Sequence, residues 1–222
     1  MNANILATRS ENHSNCFLCS ITLEDYITNL PKAYGDYEIQ REIVSNVYLD
    51  RLVNTVLYQR HIPPIVLVVE KKQYEKTASA LQIKSFKILD GLQRTHRLKI
   101  IWETLRFFEK AIVSNSDMVD WTAFKLSRQF SEPLAKISSD VDILRAIIRF
   151  HKESPQAVLR DCFAKNPQWF EVWTDLTPDQ EVQKMLVLNA GHKAVKTRHQ
   201  LELLFLNLLT WGAPKPTRFS QP

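Results

Sequence analysis

The chain has 222 residues, 45% hydrophobic and 24% charged, with a formal net charge of +5. That balance excludes a disordered or fibrous chain, and only four glycines argue against a repeat-rich all-β design. The longest apolar runs, such as Ile65 to Val69, are far too short to cross a bilayer.

The first twenty residues are polar and asparagine-rich, without periodicity, and are expected to form a mobile arm. Thr22, with Asp25 three residues on, opens a short helix that Pro31 ends. Leu49, Leu52, Val53, Val56 and Leu57 recur at helical spacing, which predicts an amphipathic helix from about Asn46 to Arg60. Pro63-Pro64 then forces an extended entry into Ile65-Val66-Leu67-Val68-Val69, a β-branched run typical of a strand buried on both faces. Residues Lys71 to Gln82 read as a connection, followed by a second strand through Phe86 and Ile88 to Leu89. Asp90-Gly91 breaks that strand. From about Thr95, Leu98, Ile101, Trp102, Leu105 and Phe108 lie on one helical stripe, so the segment reads strand, tight turn, helix.

The remainder reads as almost wholly helical, with helices opening near Trp121, near Asp140, at Ser154-Pro155 and at Thr177-Pro178-Asp179-Gln180, the last a capping box with proline at its first position. A final apolar helix is predicted from about Thr197 to Leu209, followed by a linker-like tail, Pro214 to Pro222. The expected fold is α+β: a 1–20 arm, a 21–112 subdomain with a small mixed sheet, and a 113–222 helical subdomain packed against it.

Positive charge is concentrated in two windows. Lys84 to Lys99 holds five basic residues and one acid, Asp90; Asn189 to His199 holds three and none. Those windows sum to 4 + 3 = +7, so the rest of the chain carries 5 − 7 = −2. Either window alone is what a solvated helix face gives, but together they suggest an anionic ligand. Within the first, a strand delivers Asp90, Gly91, Gln93 and Arg94 to the mouth of a helix. Free backbone N–H groups and the positive end of the helix dipole bind anions there, and an arginine fork suits phosphate oxygens. Asp90 is placed to hold a magnesium ion bridging phosphates and Gln93 to orient a water, although no Walker-type glycine loop is present. A D-G turn before an ordinary surface helix explains the same residues.

Three ordered stretches resemble the DGQQR-motif module, a ParB/sulfiredoxin-like NTPase fold found in the N-terminal half of GmrSD-type modification-dependent restriction enzymes and related phage-defence proteins. Ile39-Gln40-Arg41-Glu42-Ile43, followed by Leu57 to Ile65 with its Ile62-Pro63-Pro64-Ile65, is similar to the family's entry motif. Ile88-Leu89-Asp90-Gly91-Leu92-Gln93-Arg94 is similar to "I-x-D-G-Q-Q-R". Leu188-Asn189-Ala190-Gly191-His192-Lys193 is similar to a third segment that precedes a helix. The resemblance spans roughly residues 37 to 205 and implies nucleoside-triphosphate binding and hydrolysis with Mg2+, coupled to sensing or cleaving foreign DNA. By position it assigns Asp90, Gln93 and Arg94 to catalysis, Asp90 also to the metal, and Gln40, Arg41, Gly91, Thr95, Arg97, Asn189 and Lys193 to the nucleotide. Leu92 stands where the family usually has a glutamine, which bears on hydrolysis more than on binding. With no HNH-type histidine and asparagine arrangement in the chain, cleavage would fall to a separate nuclease or effector subunit.

The competing reading is a non-catalytic DNA-binding or regulatory protein using the same basic windows. Three cysteines, an odd count, and the absence of an apolar signal core in Met1 to Ser10 lead to the expectation of a cytoplasmic protein. His13, Cys16 and Cys19 offer too few ligands for a structural zinc. His96 and His192 read as solvating histidines, and the Trp169, Phe170, Trp173 cluster as core rather than a base-stacking platform.

Overall fold

The computed structural model describes residues 1–11, 13–32, 34 and 51–189. The strands are β1 (Asn2–Glu11), β2 (Ser14–Thr22), β3 (Ile65–Val69), β4 (Tyr74–Lys76), β5 (Ala80–Ile83), β6 (Lys87–Asp90) and β7 (Pro167–Thr174). The helices are α1 (Leu23–Thr28), α2 (Leu52–Leu57), α3 (Leu92–Ser114), α4 (Ala123–Lys136), α5 (Val141–Glu153), α6 (Asp161–Ala164) and α7 (Pro178–Asn189), with a 3-10 turn at Ser116–Asp120. The fold is α+β, as its pattern predicts: one curled mixed sheet in the order β4-β5-β1-β2-β7-β3-β6, with helices on it. Curling brings the edge strand β4 back across the sheet, where Tyr74 Oη donates to Asp175 Oδ2 at 2.8 Å and Lys76 sits over the Phe17 ring.

Strand β3 is buried at every position because both its faces are covered. Ile65, Leu67 and Val69 enter the main core, while Val66 and Val68 join Trp173 in a smaller patch on the opposite face. It runs parallel to β7 and antiparallel to β6, with Val66 opposite Asp90. The main core takes side chains from α1 through α6, including Leu98, Ile101, Trp102, Leu105 and Phe108 of the α3 stripe. Each large side chain fully buried there contributes roughly 1.5–3 kcal/mol. The local signals at helix starts are also realised. Thr22 and Asp140 cap α1 and α5, and Thr177 and Gln180 exchange backbone-to-side-chain hydrogen bonds at 2.9 and 3.3 Å to open α7.

Four expectations are corrected. The 1–20 arm is the β1–β2 hairpin, central in the sheet; Ile5 to Glu11 point mostly to solvent, so β1 lacks the alternation that marks a half-buried strand. The connection from Lys71 to Gln82 contains β4 and most of β5. Ser154-Pro155 opens turns rather than a helix, and only the short α6 follows. The segment 167–174, read as helical, is β7, inserted between β2 and β3, so the sheet draws strands from all three predicted segments. Phe170 and Trp173 of its aromatic cluster are core, as expected, but Trp169 is half exposed and meets His61 edge-on. The helix predicted over Thr197–Leu209, the tail after it and residues 46–50 of the first amphipathic helix lie outside the described residues. Among the described residues no helix is long and apolar enough to cross a membrane.

Candidate functional site

Strand β6 ends on Asp90, Gly91 adopts φ +96°, and α3 begins at Leu92, three residues earlier than the apolar stripe suggests. The left-handed conformation favours glycine. Space demands it too: a Cβ at Gly91 would lie 3.1 Å from both Arg94 Nη2 and Ile65 Cγ1. No side chain caps the first turn of α3, so the turn opens with the backbone donors that every helix start leaves.

Arg94 turns back over this corner. Its Nη2 donates to Asp90 Oδ2 at 2.9 Å and to the Pro64 carbonyl at 3.0 Å, with the two side chains 23% and 29% exposed. Asp90 and Arg94 therefore hold one another across one helical turn. The Pro64 carbonyl is fixed from behind, because buried Gln168 accepts from Ile62 N at 2.9 Å and donates to the Arg60 carbonyl at 3.2 Å. Thr95, assigned to the nucleotide by resemblance, is fully buried; its hydroxyl donates to the Gly91 carbonyl at 3.0 Å and shares a 2.7 Å hydrogen bond with Tyr26. Thr95 therefore braces the corner from inside and has no surface to offer a ligand. Gln93 lies half-buried on the same first turn.

The first basic window is neutralised in three dimensions. Lys84 pairs with Glu75 at 2.6 Å, Lys87 with Glu70 at 2.6 Å and Glu181 at 3.6 Å, Arg94 with Asp90, and Arg97 with Asp140 at 3.8 Å. Arg97 thus reaches the residue that caps α5. Four of these five acids lie outside the window in sequence, which is why a local charge count misses them. A phosphate-tracking DNA surface built on these cations would have to displace carboxylates at each step, which weakens that reading. The exception is Lys99, whose Nζ lies 5.0 Å from the Tyr34 ring centroid.

Helix α7 carries Leu188 and Asn189, the first two residues of the third motif; the rest of that motif lies outside the described residues. Helix α7 runs beside β6: Glu181 near its start pairs with Lys87, and Leu188 near its end packs with Leu89 on the Val66–Val68–Trp173 patch. Val66, part of that patch, is opposite Asp90 in the β3–β6 register. Asn189 is the last residue of α7. Burial pushes the Glu181 carboxyl above its ordinary range, against the opposing pull of Lys87. Gln40, Arg41, His192 and Lys193 lie outside the described residues, so the described part of the candidate site is the grouping of Asp90, Gly91, Gln93 and Arg94.

Among the described residues no group of three or more histidine, cysteine or acidic side chains converges; at the corner itself a single carboxylate, Asp90, faces outward. Magnesium held largely by nucleotide phosphates and water needs no more than one or two carboxylates, so Asp90 fits once Arg94 releases it. Cys16 and Cys19 sit on opposite faces of β2, Cys16 against the smaller patch and Cys19 in the main core, so they form no dithiol. Sequence reasoning missed Pro64 as the Arg94 acceptor and Lys87 as the link to α7; the Pro-Pro step signals a fixed carbonyl, but no local feature identifies its partner. Comparisons with protein-family models, curated proteins and solved structures return no match.

Proposed function

We propose that the β6–α3 corner binds the phosphates of a nucleoside triphosphate, and that the protein is an NTP-binding and hydrolysing module of a DNA restriction or defence system acting with a separate effector. The observation that carries this reading is the corner itself, where the Asp90 strand terminus, the uncapped first turn of α3 and the Pro64 carbonyl are joined through Arg94. Pro64 and Ile65 of the first stretch that resembles the DGQQR module and Ile88 to Arg94 of the second form that corner.

In this reading Arg94 exchanges its carboxylate partner for a phosphate oxygen, which it can grip with two parallel hydrogen bonds. Asp90, released, would hold magnesium, whose charge offsets that developing on the phosphates. Gln93, half-buried on the same turn, orients a water. Leu92 is buried under the corner and takes no polar part.

Titration with each NTP and magnesium, followed by phosphate-release assays with and without DNA, tests the proposal. Arg94→Ala should weaken binding by about 10- to 100-fold, the range of a lost charge-assisted contact, and Asp90→Ala should abolish phosphate release. Equal affinity in the parent and Arg94→Ala removes the corner from nucleotide binding. Steeply salt-dependent DNA affinity without any nucleotide requirement would favour the regulatory reading instead.

A further inference from the structure

One helical turn beyond the corner, α3 forms a wall of a cleft of about 280 Å³ that the proposed nucleotide chemistry does not use. Tyr34, His96, Lys99 and Glu103 line one side, and Lys136 and Ser138, at the end of α4, line the other. Lys99 and Glu103 stand out because both are half-buried charges with no ion-pair partner among the described residues, whereas every other cation of this basic window has a carboxylate within 4 Å. They are four residues apart, about 6 Å along the helix axis, yet do not pair; a lysine preceding a glutamate is the weaker orientation for such a pair. Lys99 has only the Tyr34 ring beneath it and no carboxylate among the described residues, and leaving it and Glu103 partly desolvated without an opposite charge is costly unless something else satisfies them. Two further polar groups lie on the Lys99 side, where Tyr34 Oη is 3.2 Å from His96 Nδ1, and Ser138, at φ +56°, lines the opposite side.

We infer that this cleft binds a small zwitterion, an amine carrying a phosphoryl or carboxyl group, with the oxyanion between Lys99, Tyr34 and His96 and the amine at Glu103. Its size suits such a ligand and is too small for a nucleoside triphosphate, below the usual range for drug-sized ligands. Lys136 faces the cleft from α4 but is tied to exposed Glu132 at 2.9 Å, so it adds little fixed charge. His96 is held below its ordinary range by burial and then by Lys99 and Arg97. A bound oxyanion opposes the positive charges of Lys99 and Arg97, so the histidine's titration should shift upward on binding. This inference is independent of the nucleotide reading.

The test is calorimetry together with NMR of the His96 ring on the full chain, using phosphoethanolamine and β-alanine as the phosphoryl and carboxyl probes and inorganic phosphate as the amine-free control. Saturable binding of one zwitterion with a rise in the His96 titration midpoint is expected. Lys99→Gln should weaken it at least tenfold, and Glu103→Gln should reduce the zwitterion to the affinity of its amine-free control. Far-UV circular dichroism checks that both variants fold. Absence of saturation by either zwitterion up to about 10 mM, or unchanged binding in Glu103→Gln, overturns the inference. So does loss of zwitterion binding in Arg94→Ala, which would place the ligand at the corner instead. Failure of NTP binding with the zwitterion result intact would count against the nucleotide reading alone.

Discussion

The two faces of the sheet are built to different depths. On one, six helices bury Phe17, Leu67, Ile88, Phe170 and their neighbours in a continuous core; on the other, Val66, Val68 and Trp173 are covered chiefly by α7. The thick face makes the fold, while the thin face carries the helix that is tied to β6 through Glu181 and Lys87. Adjacent residues of β3 probe the contrast directly. Leu67→Ala should cost about 2–5 kcal/mol, the usual penalty for truncating a leucine in a core that cannot collapse. Val68→Ala should cost about 1.5 kcal/mol, since fewer atoms are lost and α7 can settle into the gap. Denaturant unfolding measures both, and equal costs would show that the thin face is as tightly packed as the thick one.

The same contrast explains what the sequence disclosed. A strand covered on both faces reads as an unbroken β-branched run, so Ile65 to Val69 was plain, as were the caps at Thr22, Asp140 and Thr177, whose hydrogen bonds are local. Strand β1 was invisible because most of it is solvated, and β7 because buried Gln168 interrupts the apolar alternation of Phe170 and Val172 while its amide serves the Arg60–Ile62 segment. At the site, Asp90-Gly91 before an amphipathic stripe announced the strand–turn–helix corner. That Arg94 is held by Asp90 and Pro64, and that Glu70, Glu75, Glu181 and Asp140 neutralise the other basic residues, depends on contacts made by folding.

A smaller, pH-dependent effect should distinguish the faces at Glu181, which links α7 to β6. Burial raises its carboxyl above the ordinary value of 4.5, so the folded state binds this proton more readily than the unfolded one. Its contribution is therefore most favourable below 4.5 and is lost as pH rises through the raised folded-state value. Glu181→Gln should flatten the stability profile between those limits, with Lys87 still paired to Glu70. Melting temperatures of parent and variant across pH 4 to 7 would check this; parallel profiles would mean that the carboxylate is as well solvated folded as unfolded.

The gentlest probe is thiol labelling without denaturant. Cys16 lies on the thin face, opposite Trp173 in the β2–β7 register, and Cys19 lies in the thick core. Burial, with Glu171 nearby, pushes the Cys16 thiol up to about 12, and burial alone does the same at Cys19. Both thiols are therefore held largely in the unreactive protonated form near neutral pH, and buried Cys19 must in addition wait for opening, whereas Cys16 is only half-buried. Helix α7 is held by its buried Val182 and Met185, by buried Ser14 donating to Gln180 at 3.4 Å, and by the partly exposed pairs Lys184–Glu11 at 2.5 Å and Glu181–Lys87, which add little individually. Local release of α7 uncovers Cys16 without disturbing the main core, whereas Cys19 needs the sheet to lose its helices. Cys16 should therefore react first, and Lys184→Ala should speed its modification while leaving Cys19 unchanged. If the two cysteines react at one common rate in both proteins, α7 opens only with the whole molecule and the thin face has no separate motion through which to reach the Asp90 corner.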